Sequence, residues 1–379
     1  MSPPDLVYIC DWVPPDFGAV GQYSLIFATE LAERGHNVAL VGLSGSGPSE
    51  ETKPVGRGCL TVRKLHAAPY NKARRVERLL WTCKTNTRLL RAAWPLMRTA
   101  KTVLFTGSPP LFLHWIAPAN LVLGKQLVYR ITDFHPECAI AERGRLSLPL
   151  RLLYWITLFW RRQVQEFEAL GHDQVERLRE MGISADRIRL KPDTSPISIP
   201  PGTAPLARPS GFENKHLLLY SGNWGVAHDV KTFLGGYAEH HRNGCGGVVL
   251  WLNAVGSAAD VVERALREAE LPFLRSNPVP LQQLGALLVT ADSHLITLSD
   301  AFVGFVLPSK VHGCIASRKP IVFIGSERSD VHRLCAQSQG PYDRVAVGDV
   351  GGLARTLDRL ANVRHITGAD SHDKTGSRG

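Results

Sequence analysis

A proline, a serine and a lysine stand together between two apolar runs in the last quarter of the chain. The stretch VLPSKVHGCIASRKPIVFIG, residues 306–325, is typical of a strand end, a turn at Pro308, a short helix and a second strand. At such a turn, Ser309, the Lys310 ammonium and the first N–H groups of the helix could bind a phosphate. A solvated loop lysine after a helix-starting proline explains the same pattern, so this stretch alone does not distinguish a phosphate site from an ordinary loop.

A glycine-bearing turn near the start of the chain could bind the same kind of anion. PPDFGAVGQYS, residues 14–24, joins an apolar run to a helical stretch through Gly18 and Gly21. Glycine permits positive φ and close backbone approach, and a helix start offers free N–H groups. The turn has neither the GxGxxG nor the GxxxxGK[ST] spacing, and many strand-to-helix turns carry glycine for geometry alone.

A second turn of this kind follows a later apolar run. YSGNWGVAHD, residues 220–229, places Gly222 and Gly225 on either side of Asn223. Because ligands of open α/β sheets bind at the carboxyl ends of the strands, both turns would lie at ligand-binding edges.

The elements that must position these residues are continuous apolar runs, most of them followed by helical stretches. QLVYRITD, HLLLYSG, GVVLWLN, SHLITL and PIVFIG do not alternate apolar with polar residues. Such runs are typical of parallel strands covered on both faces, and their repetition predicts a doubly wound α/β fold.

The length of 379 residues favours two domains, since single cores stop growing at roughly 250–300 residues. A proline-dense stretch without periodicity is the best linker candidate. We expect a first domain over 1–195, a linker over 196–211, a second domain over 212–363 and a disordered polar tail over 364–379.

The composition restricts the compartment and the partners. A net charge of +10 favours anionic partners, although dispersed basic residues and the lack of a nucleic-acid-binding motif argue against nucleic acid. Seven scattered cysteines without a CxxC pair predict a reducing compartment and no structural zinc. The first residues do not resemble a signal peptide, and we expect a cytoplasmic protein, with peripheral contact to the inner face of the membrane as an open alternative.

One segment, residues 143–162, combines aromatic and basic residues. Its core LPLRLLYWITLFWRR is too short to span a bilayer, and arginines occur within it and just before it. It could lie in a membrane interface with its arginines on anionic headgroups. A buried helix of the first domain is the competing interpretation.

Taken in order, five stretches of the chain resemble glycosyltransferase family 4, in the branch of bacterial exopolysaccharide and O-antigen enzymes with Asp-x-x-Pro-Glu and Pro-Ser-Lys motifs. They are PPDFGAVGQYSLIFATELAERGHNVALVG, TGSPP, YRITDFHPE, YSGNWGVAHD and ADSHLITLSDAFVGFVLPSKVHGCIASRKPIVFIG. The likeness extends over nearly the whole chain.

The resemblance implies a GT-B fold of two facing Rossmann-like domains with a cleft between them. It implies a nucleotide-sugar donor held mostly by the second domain, with UDP favoured and GDP open, and a lipid-linked or saccharide acceptor held by the first. Transfer would retain the anomeric configuration and need neither a metal nor a further cofactor. Cations, helix dipoles and N–H groups would stabilise the leaving diphosphate.

The resemblance also suggests residue roles. Gly18 and Gly21 would approach the donor phosphate or the reacting sugar, and Asp133 and Glu137 would contact the acceptor or the reacting sugar. Lys310 would neutralise the leaving diphosphate. A helix N-cap at Asp133 and a first-turn dipole partner at Glu137 are the purely structural alternatives.

The chain departs from the family in its second half. Asn223 and His228 stand where many relatives have Arg and Lys, so phosphate neutralisation would rest more on Lys310, with help from His228. The family's Glu-x7-Glu pattern is missing, with Gly313 at the second position, and Arg318 replaces a usual glycine. A nucleotide-sugar epimerase of the same architecture, or a binding scaffold without catalysis, therefore remains an alternative.

Overall fold

The computed structural model describes residues 3–16, 19–68, 75–193, 195 and 197–369. The predicted site residue Gly18 lies outside these ranges, as do residues 370–379 of the predicted tail. The chain divides into two compact units, Met1–Pro196 with Gly304–Leu307, and Ile197–Val303 with Pro308–Gly379.

The first unit contains an eight-stranded sheet in the order β3-β4-β2-β1-β5-β6-β7-β8. All neighbouring strands are parallel except β3, which runs antiparallel to β4. The strands are β1 (Leu6–Trp12), β2 (Asn37–Ser44), β3 (Ser49–Val55), β4 (Gly58–His66), β5 (Thr102–Thr106), β6 (Gln126–Ile131), β7 (Glu166–Ala169) and β8 (Ile188–Leu190). The helices are α1 (Ala19–Glu33), α2 (Arg75–Thr99), α3 (Leu113–Leu123), α4 (Glu137–Arg143), α5 (Leu148–Arg162) and α6 (His172–Glu180), with a 3-10 turn at Ala185–Arg187.

The two faces of this sheet carry different helices. On one face, α2, α3, α5 and α6 pack against residues such as Phe105, Tyr129 and Phe167. On the other face, α1 packs against Tyr8 and Leu40. The central strands are therefore covered on both sides, which is why their sequences read as continuous apolar runs.

The second unit contains a six-stranded, fully parallel sheet in the order β11-β10-β9-β12-β13-β14. The strands are β9 (His216–Asn223), β10 (Val248–Val255), β11 (Phe273–Arg275), β12 (Ser293–Thr297), β13 (Ile321–Ile324) and β14 (Tyr342–Val345). The helices are α7 (Lys231–Arg242), α8 (Ser257–Glu268), α9 (Leu281–Thr290), α10 (Lys310–Ala316), α11 (Asp330–Ala336) and α12 (Val350–Ala369), with a 3-10 turn at Asp300–Phe302.

The proline-rich segment after residue 196 contacts the second unit along much of its length. Ile197 belongs to the apolar cluster under α9, and the Leu206 N–H donates to Thr290 Oγ1 at 2.7 Å. Arg208 pairs with Asp292, with an Nη2–Oδ2 distance of 2.9 Å. At the other end of this unit, α12 continues to Ala369, into the segment for which the sequence predicts disorder.

Both sheets reverse their strand order beside their first strand. In the first unit, β1 lies between β2 and β5, and in the second, β9 lies between β10 and β12. At such a switch point, the connections leave the strand ends in opposite directions and open a crevice at the carboxyl edge, where open α/β sheets bind ligands. Within the described residues, no helix is both long and apolar enough to cross a bilayer.

Candidate functional site

Lys310 lies at the switch point of the second sheet. It is the first residue of α10, and its Nζ is 3.2 Å from the centre of the Tyr220 ring, near the end of β9. The Nζ atom is buried and has no hydrogen-bond acceptor. Burial lowers the pKa of Lys310 well below its ordinary value. A buried amine without an acceptor costs free energy, and an anion placed against it would satisfy it and favour its charged form.

His228 belongs to the same cluster. Its Nδ1–H donates to the carbonyl oxygen of Thr297, the last residue of β12, at 2.5 Å, which leaves Nε2 as an acceptor. Burial first, and then the charge of Lys310, lowers the pKa of His228 to about 3. At neutral pH the ring is therefore neutral, and it can assist an anion as a cation only by taking up a proton.

The second glycine-bearing turn contacts Lys310 through its backbone. Gly222 has a φ of +114°, and a Cβ atom at this position would lie 3.9 Å from Lys310 Cε. The exposed Asn223 ends β9, and the Gly225 carbonyl accepts the N–H of His228 at 3.2 Å. Ser309 precedes α10 at its N-cap position. The predicted residues of this half therefore lie in one region, although α10 is only seven residues long.

Tyr220 and Trp224 complete this cluster, and the sequence interpretation did not assign them. Their rings stack with centres 3.8 Å apart, and both side chains are fully buried. The Tyr220 ring forms the floor below the Lys310 amine. The sequence feature that could have identified them is their position inside the YSGNWG motif.

In the first unit, Gly21 has a packing role that explains its identity. It lies in the first turn of α1, and a Cβ atom there would lie 1.6 Å from the backbone oxygen of Trp12. No side chain fits at that distance, so glycine lets α1 start directly against the end of β1.

Asp133 lies just beyond the end of β6. Its backbone pairs with Val306, which belongs to the same unit. Burial raises the pKa of Asp133 above its ordinary value, while the nearby His135 opposes that shift. This carboxyl group therefore keeps its proton to a higher pH than a solvated carboxyl group does.

Asp11 is an acid that the sequence interpretation did not assign. It lies near the end of β1, and its Oδ1 atom is buried without a hydrogen-bond partner. Burial raises the pKa of Asp11 to about 6, Ser108 after β5 opposes the shift, and Asp133 adds to it. Asp11, Ser108 and Asp133 thus lie near one another at the carboxyl edge of the first sheet.

Glu137 is held by a buried arginine. Arg161 Nη2 donates to Glu137 Oε2 at 2.9 Å, Nη1 donates to Oε1, and Nη2 also donates to the His135 carbonyl at 3.1 Å. Glu137 is 4% and Arg161 0% exposed. The pair joins α4 to α5, so both carboxylate oxygens are already occupied within the fold. The sequence interpretation that Arg161 faces a membrane is wrong, because this pairing buries it.

A cavity of about 190 Å³ lies beside α1 in the first unit. Aromatic, acidic and basic side chains line it, including Tyr23, Phe27, Glu30, Arg130, Lys191 and Asp193. Arg130 donates to Glu168 at 2.8 Å and to Asp193 at 2.6 Å. The guanidinium group in the wall is therefore paired with carboxylates of the same unit.

The one group of potential metal ligands in the described ranges consists of His240, Cys245 and Asp358. The Val248 N–H donates to His240 Nε2 at 3.1 Å, so the neutral ring carries its proton on Nδ1. That Nδ1 hydrogen points to Asp358 Oδ1, 2.6 Å away. A metal at Nδ1 would have to displace this proton, so the geometry fits a hydrogen-bonded link between α7 and α12 rather than a metal site.

No protein-family profile matches the chain. No protein of curated function matches it significantly either.

Solved structures nevertheless match over almost the entire length. An E. coli structure named for trehalose-6-phosphate and bound with UDP-2-fluoro glucose has 13% identity and a TM-score of 0.61, covering 97% of this chain and 94% of that one. The α,α-trehalose-phosphate synthase (UDP-forming) from Burkholderia vietnamiensis has 11% identity and a TM-score of 0.62, covering 97% and 96%. Anabaena HepE in complex with UDP and glucose has 10% identity and a TM-score of 0.60, covering 97% and 95%.

These neighbours are GT-B glycosyltransferases, and the chain has their two-unit α/β fold. The predicted fold class of two Rossmann-like domains is thereby confirmed. At identities this low, the similarity establishes the fold alone, and fold does not determine activity.

Proposed function

We propose that the protein is a retaining glycosyltransferase of the family 4 type. It transfers a sugar from a nucleotide-diphosphate-sugar, with UDP favoured as the carrier, to a lipid-linked or saccharide acceptor in the synthesis of a cell-surface polysaccharide or glycoconjugate. The reaction would use no metal, because protein cations and N–H groups take over the charge of the leaving diphosphate.

The observation that carries this proposal is the unpartnered amine of Lys310 at the switch point of the second sheet. Such an amine is costly in the free protein, and a diphosphate is the kind of ligand that offsets the cost. The structural neighbours agree with this choice, since HepE has been observed with UDP, with UDP-glucose, and with UDP and glucose. A further structural neighbour, a trehalose-6-phosphate synthase, is described in connection with glycosyl transfer with retention.

In this mechanism, the Lys310 amine binds the diphosphate and, in its charged form, stabilises the charge that develops when the bond from sugar to phosphate breaks. Gly222, which has no side chain, leaves the backbone open beside the amine. His228 offers Nε2 as an acceptor or, after protonation, as a second cation. In the first unit, Asp133 and Asp11 would bind acceptor hydroxyl groups.

The test is to assay the wild-type protein, Lys310→Met and the exposed-lysine control Lys231→Ala with UDP-, GDP- and dTDP-sugars. A panel of saccharide and lipid-linked acceptors accompanies the donors. We expect the Lys310 variant to lose about 100- to 1000-fold in kcat, as when one donor of an oxyanion site is removed, and the control to keep its rate.

Thermal shifts with the same donors report binding separately. A donor-dependent shift without transfer to any acceptor would indicate a binding scaffold. Conversion of the donor sugar without an acceptor would indicate an epimerase.

A further inference from the structure

Helix α5 exposes an unusual apolar stripe. Leu148, Leu152, Trp155 and Phe159 are 81%, 63%, 55% and 54% exposed, and Ile156 is 41% exposed. Their spacing of three and four residues places them on one side of a helix. Single exposed apolar residues are ordinary, but a contiguous stripe of this kind marks an interaction surface.

The orientation of this stripe is set by the opposite side of α5. Leu150, Thr157, Leu158 and Arg161 are buried, and Thr157 and Leu158 stand between exposed neighbours in sequence. The pair between Arg161 and Glu137 ties the helix to α4. The stripe cannot turn inward without breaking this buried ion pair.

The surroundings of the stripe are strongly basic. Arg143, Arg145, Arg151 and Arg162 are exposed, and within the described ranges none of them pairs with a carboxylate. Residues 143–162 contain no Asp or Glu. An apolar stripe edged by unpaired guanidinium groups is complementary to an anionic lipid surface, where acyl chains meet headgroup phosphates.

We propose that this surface, residues 143–162, docks the protein on an anionic membrane, with α5 parallel to the bilayer plane. The aromatic and leucine side chains enter the boundary between headgroups and acyl chains, and the four arginines contact phosphate groups. The 15-residue helix lies on the bilayer instead of crossing it. This inference does not rest on the proposed function, because binding needs neither donor nor acceptor.

A second copy of this chain suits the surface less well. A symmetric contact through α5 would bring the arginines of both copies together without carboxylates among residues 143–162 to pair with them. The membrane is therefore the occupant that the charges favour.

The test is co-flotation of the full chain with vesicles of phosphatidylcholine alone and of phosphatidylcholine mixed with phosphatidylglycerol. We expect binding to the anionic vesicles that weakens with salt. Arg143→Gln/Arg145→Gln/Arg151→Gln should lower the partition coefficient roughly 100-fold, since each cation near such a surface contributes about fivefold. Leu152→Ser/Trp155→Ser/Phe159→Ser should lower it at least about tenfold.

Matched controls separate the site from total charge and hydrophobicity. Arg57→Gln/Arg242→Gln/Arg264→Gln removes the same charge at exposed positions elsewhere, and Leu121→Ser/Val122→Ser/Val226→Ser removes other exposed apolar side chains. Both controls should bind like the wild type, and circular dichroism should show all variants folded.

Equal losses of vesicle binding in the variants and the controls would overturn the proposal, as would wild-type binding that does not depend on lipid charge. So would a sedimentation experiment in which the apolar α5 variant dissociates a dimer while vesicle binding stays unchanged.

Discussion

Lys310 and Asp11 show the same physical condition at two places in the chain. Each has a buried polar atom without a partner, and each lies at the switch point of its own sheet. Buried polar atoms in native proteins almost always have partners, so such exceptions call for a physical explanation. Ligand binding is the explanation that we propose, and it implies that these residues cost stability in the free protein.

The Lys310→Met variant tests that cost. Methionine has similar length and no amine to desolvate, so we expect the free protein to become about 1–3 kcal/mol more stable while its kcat falls as stated above. Urea unfolding without ligand measures the stability. A less stable variant would mean that contact with the Tyr220 ring makes the amine a structural element.

Glu137 carries a different expectation, because its carboxylate serves the fold. Glu137→Gln leaves Arg161 buried without a countercharge, which should cost about 3–5 kcal/mol in the free energy of unfolding. Glu180→Gln, which removes the exposed partner of Arg177, should change stability by about 0.5 kcal/mol or less.

Activity per folded molecule distinguishes the two roles of Glu137. If it falls 100-fold in Glu137→Gln while stability stays unchanged, the carboxylate contacts substrate and the structural assignment is wrong.

At the scale of the elements, close approach explains several glycines. Gly21 lets α1 begin against the Trp12 carbonyl, and Gly236 in α7 faces Leu353 of α12, where a Cβ atom would lie 2.6 Å from the leucine side chain. Helix α7 and helix α12 therefore pack more closely than larger residues would permit.

Gly21→Ala tests the packing of α1. The added methyl group has no room beside the Trp12 oxygen, so α1 must shift, at a cost of about 3 kcal/mol. Gly351→Ala is the control, because its Cβ would meet only the flexible end of Arg355 at 3.3 Å, and alanine favours a helix. We expect the control to be neutral or about 0.5 kcal/mol more stable by thermal unfolding. Equal stability of the two variants would contradict this account of Gly21.

At the scale of the whole molecule, buried and half-buried histidines contribute to the acid response. Burial lowers the pKa of His228 and His294 to about 3 and that of His241 to about 4, and it also lowers the pKa of His114 and His240. In the unfolded chain these rings return to about 6.5 and bind more protons. The contribution of these histidines to stability therefore rises with pH between about 3 and 6.5 and is fully present above that window. Asp11 acts in the opposite direction, since its folded pKa is raised.

His294→Gln should flatten this pH dependence. Gln can still reach Ser317, which His294 Nε2 contacts at 2.8 Å, but it does not titrate. We expect a smaller loss of unfolding free energy between pH 6.5 and pH 4 than in the wild type, since each pKa unit is worth about 1.4 kcal/mol. The exposed His36→Gln control should keep the wild-type slope. A wild-type slope in His294→Gln would remove His294 from this explanation.

The amino-acid sequence by itself was sufficient to predict the fold class and part of the candidate site. Apolar runs without alternation indicate parallel strands covered on both faces. This pattern can be recognised in a single sequence because each strand is one contiguous stretch of residues. The second glycine-bearing turn and Lys310 could be linked in advance through the carboxyl-edge rule, and the structure brings them together.

Only the tertiary structure decided which polar groups are paired. Glu137 and Arg161 are 24 residues apart and meet through the packing of two helices, whereas Asp11 is left with an unpaired atom by strands that join distant parts of the chain. The same holds for the burial of α5, because its sequence is compatible with a buried helix and with a surface helix. Burial and pairing depend on what lies across a contact, and a local pattern does not record its partner.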